Sequence, residues 1–329
     1  MISRTKIVNK ALSILYDINI QSIQNKSFII FLHGVEENII DNDIQFLHIK
    51  FDELKKLIQK LGRYFDFVSL DDILNSKDEP KGKISITFDD GYRNNFKFAH
   101  PFFKSEKIPY SVYLTTSYIG TDNRLPTFVA RLAIKNTNLS EYYSKFFQKN
   151  INLKSNEDKN QFLKKVIRCM KDSPMKQVEK LKMEVSHLLS DFEKNDLFQI
   201  YESDSFLSIG EIKEMREYCT FGSHTENHFI FHNKQDLDFA HKELVNSKKR
   251  ITDILGRCDH FALPNGNINN LFMNEILFKK MYSYKSVATT TPNFINHTNN
   301  FLLPRFTINS IDSLTRLKSD IARTILNGQ

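Results

Sequence analysis

The sequence predicts an α/β protein in which short buried strands alternate with helices around a largely parallel sheet. Two observations support this prediction. Strand-like apolar runs and helical periodicities follow one another at the spacing of βα units, both in the first third of the chain and again after about residue 206. Between about residues 122 and 206 the chain is instead polar, lysine-rich and mainly helical in its periodicity. We therefore predict a single domain over residues 1–329, with a helical insertion at about 122–206.

The first part of the α/β pattern begins with "SFIIFLHGV". This stretch is typical of a short buried strand that ends in a turn at Gly34. Helical spacing follows in "FDELKKLIQKLGRYF", and strands are predicted at "DFVSL" and "KISITF". A helix at "AHPFFKSEKI" leads to the alternating strand "PYSVYLTT". Strands and helices in this order indicate repeated βα units.

The rest of the chain divides into the insertion and a second α/β part. The insertion has helical periodicity in "EYYSKFFQ", "QFLKKVIRCM" and "VEKLKMEVSHLL". After it, helices are predicted at "SIGEIKEMREY" and "DFAHKELVNSKKRITDILG", and strand ends at "CTFGSH", "HFALPNG", "YKSVATTT" and "FLLPRFTI". The amphipathic segment "SIDSLTRLKSDIARTIL" closes the pattern.

The charge and the cysteines limit the class of protein. A net charge of +7 and a pI near 9.0 suit anionic partners such as phosphorylated carriers, membrane surfaces or nucleic acid. No basic block is interleaved with aromatic residues and no nucleic-acid-binding motif is present, so we predict no nucleic-acid partner. Cys169, Cys219 and Cys258 form no CxxC pair, which suits a reducing compartment.

The first twenty residues bear on the location of the protein. Their longest apolar run, from Ala11 to Tyr16, is too short for a signal sequence or a membrane span, so we predict a cytoplasmic protein. The segment also has the spacing of an amphipathic helix, with an apolar face formed by Ile7, Ala11, Ile14 and Leu15. Such a helix usually packs on its own domain; peripheral contact with the inner face of the membrane is the alternative.

Two stretches contain the residue types of a metal-dependent hydrolase. "KISITFDDGYRNNF" places Asp89 and Asp90 directly after a buried strand, where adjacent carboxylates repel each other and need partners. "FGSHTENHFIF" holds His224 and His228 four residues apart, close enough for both imidazoles to bind one ion. With Asp90 they would form a three-ligand divalent-metal site. The alternatives are a plain Asp-Gly turn and two surface or capping histidines.

These motifs are similar to those of a known protein family. "TFDDG" at a strand end, followed by "SHTENH" and "FALPNG", resembles the polysaccharide deacetylases of the NodB-homology type. The resemblance implies a distorted (β/α) barrel and a divalent metal ion, most simply zinc. It implies that Asp89 is the general base, and that the ion binds to Asp90, His224 and His228. It further implies that the backbone N–H of Asn265 stabilises the oxyanion.

The chain departs from the family pattern in two places. Many members have an arginine two residues before the proline of Pro-x-Gly, where this chain has Ala262; we expect Arg305 in "LLPRFTI" to replace it. The usual C-terminal general-acid motif is missing, but "FIIFLHGV" resembles the strand-His opening of a permuted branch, which makes His33 the candidate acid. A satisfied core histidine is the alternative for His33. The resemblance covers about 27–121 and 209–308 and leaves the insertion outside.

The sequence therefore predicts a metal-dependent enzyme that removes an N-acetyl group from an amino sugar in a surface glycan, or in a lipid-linked or nucleotide-linked precursor. Two alternatives remain: a non-catalytic glycan- or carrier-binding protein with a retained barrel, and a metal-dependent amidase for a small N-acyl metabolite. An open groove would favour a polymer or lipid-linked sugar, and a closed pocket a small molecule. For the insertion, a wall of the groove, a membrane-facing platform and a stabilising decoration are all open.

Overall fold

A computed structural model describes residues 20–76, 81–232, 235–266, 278–279, 282–296, 301–309 and 313–327. The amphipathic helix predicted for the first twenty residues lies almost wholly outside these ranges. Within them, no helix combines the length and the apolar character that a membrane-spanning segment needs.

The described elements follow the predicted alternation of strands and helices. The strands are β1 (Phe28–Leu32), β2 (Val35–Glu36), β3 (Ile49–Lys50), β4 (Asp66–Phe67), β5 (Lys83–Phe88), β6 (Tyr110–Leu114), β7 (Glu141–Ser144), β8 (Lys149–Asn152), β9 (Cys219–Ser223), β10 (His260–Ala262), β11 (Ser286–Ala288), β12 (Leu302–Leu303) and β13 (Phe306–Thr307). The helices are α1 (Phe51–Leu61), α2 (Leu70–Leu74), α3 (His100–Ser105), α4 (Pro126–Asn136), α5 (Asn156–Asp172), α6 (Met175–Ser186), α7 (Asp191–Ile200), α8 (Ile209–Met215), α9 (Leu237–Leu255) and α10 (Ser313–Asn327).

Within the described ranges the central sheet has nine strands, and all of its strand pairs are parallel. The order is β12-β11-β10-β9-β6-β5-β1-β13, and β4 pairs with the start of β5. Every residue of β1 and of β6 is buried, as expected for parallel strands that are covered on both faces. The predicted parallel α/β architecture is therefore confirmed.

The sheet curls until its two edges lie near each other. Strands β12 and β13 stand at opposite ends of the strand order, yet only Pro304 and Arg305 separate them in the chain. A connection this short spans at most about 11 Å, so the two edges must lie close together. The predicted distorted barrel is confirmed, and Arg305 occupies its seam.

The insertion has a hydrophobic core of its own. Buried side chains of α4, α5 and α6 pack together there, among them Ile134, Val166 and Leu181. One prediction inside it is wrong: "EYYSKFFQ" is not helical, because β7 and β8 form an antiparallel hairpin in which Tyr142 lies opposite Ile151. Tyrosine and phenylalanine favour strands, and a stretch this short is compatible with either periodicity.

Candidate active site

The predicted site residues lie at one edge of the sheet. His33 follows β1, Asp89 follows β5 and His224 follows β9. The backbone N–H of Asp89 donates to the carbonyl of Leu32 over 2.9 Å, and that of His224 donates to the carbonyl of Leu114 over 2.9 Å. These bonds fix each residue to the neighbouring strand, so the carboxyl ends of parallel strands bring the motifs together.

The two adjacent aspartates are separated by the turn that follows β5. Asp90 and Gly91 both have left-handed backbones, with φ of 72° and 86°. A Cβ on residue 91 would lie 2.8 Å from Leu114 Cδ2, so the close approach of β6 requires glycine there. The carboxylate of Asp89 consequently binds Arg305. That of Asp90 instead faces His224 and His228. Each carboxylate has positive or polar partners of its own.

Asp90, His224 and His228 fit a metal ion. Oδ1 of Asp90 lies 3.4 Å from Nε2 of His224 and 3.3 Å from Nε2 of His228, and the three atoms lie within 4.8 Å of one another. Ligands about 2.0–2.1 Å from a tetrahedral zinc ion would be about 3.3 Å apart. The buried Oδ1 accepts no hydrogen bond from the described residues. The donor set therefore has the chemistry and the spacing of a divalent-metal site.

The tautomer of His224 supports this assignment. Its Nδ1 lies 2.9 Å from the carbonyl oxygen of Ala262, so Nδ1 carries the proton and the lone pair of Nε2 faces Asp90. Burial alone would lower the pKa of His224, but the carboxylates of Asp90 and Asp89 raise it. Burial alone would raise the pKa of Asp90, whereas His224 and His228 hold it well below its ordinary value. The arrangement attracts a positive charge between these groups.

A non-helical loop positions His228. Thr225 and His228 have φ of 66° and 58°, and Thr225 Oγ1 accepts a 2.7 Å hydrogen bond from the N–H of Phe229. The backbone and side-chain amides of Asn227 donate to the buried carboxylate of Glu243 on α9, over 2.8 and 2.6 Å. Sequence reasoning missed Glu243, because it lies on a helix whose residues show no site-like spacing.

Arg305 holds Asp89 with two hydrogen bonds. Its Nη1 donates to Oδ1 over 2.7 Å and its Nη2 donates to Oδ2 over 2.8 Å. Further bonds to the carbonyl of Thr289 (2.9 Å) and to Oγ1 of Thr87 (3.1 Å) fix the guanidinium, which is fully buried. Burial alone would raise the pKa of Asp89, but the charge of Arg305 lowers it, so this carboxylate stays ionised. Arg305 thus lies where a substitute for the missing family arginine was expected; its role stays a prediction.

His33 and Asn265 line the same pocket as these groups. The Nδ1 atom of His33 is buried and has no hydrogen-bond partner among the described residues. Burial lowers the pKa of His33 despite the nearby carboxylates. The backbone N–H of Asn265 donates no hydrogen bond to the described residues, while Gly266 packs so tightly on Thr290 that any Cβ would clash. All seven predicted site residues therefore meet at this edge of the sheet.

The pocket beside these residues has a volume of about 330 Å³. One end is formed by the strand-end residues described above. The other end is formed largely by the insertion, between Leu125 and Val178. Of the three possibilities for the insertion, a wall of the substrate pocket is the one that this placement favours.

A second buried cluster of the same residue types lies near the site. Nδ1 of His48 is 3.0 Å from Oδ1 of Asp204, whose Oδ2 accepts a 2.8 Å bond from Gln45. Glu36 accepts a 3.0 Å bond from Asn94. Like the first cluster, Glu36, His48 and Asp204 bring their ligand atoms within 4.8 Å of one another. The sequence assigned no role to His48, because the carboxylates that meet it, Glu36 and Asp204, belong to other segments of the chain.

The comparisons with known proteins agree with this geometry. A family model described as "Polysaccharide deacetylase" matches residues 76–176. IcaB from Ammonifex degensii has a similar fold, with a TM-score of 0.56 and 14% identity over 91% of this chain and 96% of IcaB. The deacetylase PplD of Streptococcus pyogenes, solved with acetate, gives a TM-score of 0.53 and 16% identity over 91% and 97% of the two chains. A de-N-acetylase from Aggregatibacter actinomycetemcomitans gives 0.53 and 13% over 90% and 100%. No curated protein shows significant similarity.

The family match also corrects one expectation. It starts before "TFDDG", continues into the insertion and ends before the two histidines of "SHTENH", so the part of the insertion up to residue 176 lies within the family match. The match supports deacetylase activity, and the structural neighbours share the fold. The resemblance to the polysaccharide deacetylases that the motifs predict is therefore confirmed.

Proposed function

We propose that this protein is a metal-dependent hydrolase that removes the N-acetyl group from an amino sugar. The observation that carries this proposal is the convergence of two units on one pocket. One is a carboxylate held by a buried guanidinium, Asp89 with Arg305, and the other is the ligand set of Asp90, His224 and His228. The family match supports the C–N bond of the acetamide group as the bond that is broken.

Asp90, His224 and His228 would hold the ion, and zinc is the simplest choice for two imidazoles and one carboxylate. When bound, the ion supplies Lewis-acid chemistry to the acetamide group. The protein's part is to fix the ligands: the Ala262 carbonyl orients His224, and the Asn227–Glu243 contact holds the loop of His228.

Asp89 would act as the general base, accepting a proton from the water that attacks the amide carbon. Its two hydrogen bonds to Arg305 fix the carboxylate and keep it ionised, and each oxygen retains a further lone pair. Arg305 lies behind Asp89 and does not line the pocket, so it is a positioning residue.

The remaining steps are assigned to Asn265 and His33. The N–H of Asn265 would donate to the developing oxyanion, since no described residue uses it. His33 would protonate the departing amine as the C–N bond breaks, giving acetate and a free amino sugar. Because burial lowers the pKa of His33, its protonated form is a stronger acid than a free imidazolium and is the minority form at neutral pH. The proton that His33 donates would therefore come from solvent, or from the attacking water by way of Asp89.

Asp89→Asn tests the proposal. We expect acetate release from N-acetylated amino sugars to fall by at least about 100-fold, because the base is lost, while about one metal ion per chain is retained. Asp71→Asn is the matched control, since Asp71 is a partly buried carboxylate paired with His260 outside the pocket.

Turnover at the wild-type level in Asp89→Asn would remove Asp89 as the base. Wild-type protein that holds metal but releases no acetate from any N-acetylated sugar would contradict the proposed activity. That result would favour the non-catalytic binding protein.

A further inference from the structure

The insertion gives the pocket an apolar wall. Side chains from α4, α5 and α6, and from the residues that precede α4, line it; they are Leu125, Phe128, Ile167, Met170, Met175 and Val178. Contact with the hydroxyl groups of a sugar chain would leave those hydroxyls without hydrogen-bond partners, which is unfavourable. A hydrocarbon chain would instead bury its surface against this wall at a gain in free energy. The wall therefore fits an apolar part of a ligand.

Two cationic side chains line the same end of the pocket. Arg131 on α4 donates from Nη1 to the carbonyl of Asp43 over 2.9 Å, but its buried Nε has no partner among the described residues. Lys171, in the last turn of α5, also lines the pocket and is exposed to solvent. Partial desolvation and the charge of Arg131 lower the pKa of this exposed lysine, whereas the charge of Asp172 opposes them, so the two cations lie close enough to repel each other. A phosphate placed beside them would remove this repulsion.

No described residue that lines the insertion end of the pocket is a carboxylate; Asp43 and Asp172, whose charges act on Arg131 and Lys171, lie outside the lining. Among the described lining residues, the carboxylates are Asp89 and Asp90, and these face Arg305 and the histidines at the opposite end. The insertion end is therefore positively charged and the strand end holds the metal ligands. A ligand that spans the pocket needs an acetamide at one end and an anion at the other.

This charge distribution discriminates between substrate classes. A polymer that loses successive acetyl groups becomes polycationic, and the two cations would repel it. A single amino sugar on a phosphate carrier keeps its negative charge after deacetylation. The volume of about 330 Å³ also suits a ligand of limited size.

We propose that the pocket takes an amino sugar joined through a phosphate to an apolar chain. The phosphate lies beside Arg131 and Lys171, and the chain lies along the wall formed by the insertion. The identity of the acetylated sugar rests on the proposed function, whereas the phosphate and the chain rest on the lining of the pocket alone.

Binding of alkyl phosphates tests this proposal without any turnover. Chelator-treated protein, in which no ion can bind the phosphate, is titrated calorimetrically with inorganic phosphate, hexyl phosphate and decyl phosphate below their micelle concentrations. We expect affinity to rise with chain length, by up to about fourfold for each methylene that is buried. Decyl phosphate should bind far more tightly than decyltrimethylammonium, which has the same chain and the opposite charge.

Lys171→Met removes the charge and keeps most of the apolar stem. We expect it to weaken decyl phosphate binding about tenfold or more, because a charged partner of the phosphate is lost. Lys164→Met is the matched control, since Lys164 is an exposed lysine on the same helix outside the pocket, and it should leave the affinity unchanged. Arg131→Gln tests the other cation of the pocket in the same way.

Three results would overturn the proposal: equal affinity for the anionic and cationic probes, no dependence on chain length, or an unchanged affinity in Lys171→Met. Tighter binding of N-acetylchitotetraose than of decyl phosphate would assign the pocket to a neutral polymer and also overturn it. None of these results touches the proposed deacetylation. Conversely, binding of decyl phosphate by a protein that releases no acetate would retain the phosphate subsite and remove only the proposed activity.

Discussion

Two clusters of the same residue types lie a short distance apart in this protein, and they differ in whether their carboxylates have hydrogen-bond donors. They are the site triad, Asp90, His224 and His228, and the buried triad, Glu36, His48 and Asp204. Both bring histidine nitrogens and carboxylate oxygens within 4.8 Å of one another, so composition and proximity do not distinguish them.

Hydrogen bonding does distinguish them. In the buried triad, Asp204 faces His48 and accepts a bond from Gln45, and Glu36 accepts a bond from Asn94. In the site triad, Oδ1 of Asp90 accepts no hydrogen bond from the described residues. A buried carboxylate that accepts amide hydrogen bonds is complete without an ion, whereas a buried carboxylate oxygen that accepts none can be completed by a cation. We infer that the site triad binds metal and that the buried triad stabilises the fold.

The largest expected effect is on metal binding. His228→Ala should lower zinc affinity by more than about 100-fold, because one of three protein ligands is lost. His228 is the least buried of the three ligands, so its replacement is also the least disruptive to the fold. Elemental analysis after dialysis against limiting zinc would measure the bound ion, and His48→Ala is the control that should keep about one ion per chain. Two ions in the wild type, or loss of metal only in His48→Ala, would make the buried triad a metal site.

The second expected effect is on stability. Here the variant of the buried triad should lose more than the variant of the site triad. Asp204→Ala should lower the free energy of unfolding by about 3–5 kcal/mol, because a fully buried acceptor is removed, the Gln45 amide loses its partner, and His48 loses the carboxylate that lies 3.0 Å from its Nδ1. His228→Ala in chelated protein should cost about 1 kcal/mol or less. Denaturant titration of both variants would measure the difference. A smaller loss in Asp204→Ala than in His228→Ala would refute the structural role of the buried triad.

Local patterns predicted the parts of the site that depend on local geometry. Asp89 and Asp90 directly follow a buried strand, so the sheet fixes their position once the strand is recognised. The spacing of His224 and His228 suffices for one ion, although the backbone between them is a turn with left-handed residues and not a helix. The alternation of strands and helices likewise sufficed to predict a parallel sheet.

Contacts between distant parts of the chain were beyond such patterns. Asp89 and Arg305 are 216 residues apart, and their pairing depends on how the sheet curls until β12 and β13 meet; only the family resemblance suggested it. Gln45 and Asp204 are 159 residues apart and belong to segments without any motif. The hairpin in "EYYSKFFQ" was missed because eight residues rich in aromatic side chains satisfy a helical and a strand pattern equally well.

The smallest expected effect is a pH dependence that belongs to the buried triad. Burial alone would lower the pKa of His48, but the charge of Asp204, the bond to it and the charge of Glu36 raise the pKa above 6.5. A histidine whose pKa is raised by folding contributes stability that is complete below its unfolded pKa and is lost as the pH rises through its folded pKa. The wild type should therefore lose about 1 kcal/mol more than His48→Gln between about pH 6 and about pH 9.

Denaturant titrations of the two proteins across this range would measure that difference. Glu36 also has a raised pKa, because of burial, and the charge of His48 opposes this increase, so replacing His48 changes the pKa of Glu36 as well. The raised pKa of His224 acts in the same direction as that of His48 and is common to both proteins, so the comparison measures His48 together with its coupling to Glu36. Parallel curves for the two proteins would mean that His48 is neutral in the fold. The buried triad would then be held together by its amide donors, and the charge of His48 would contribute nothing to its stability.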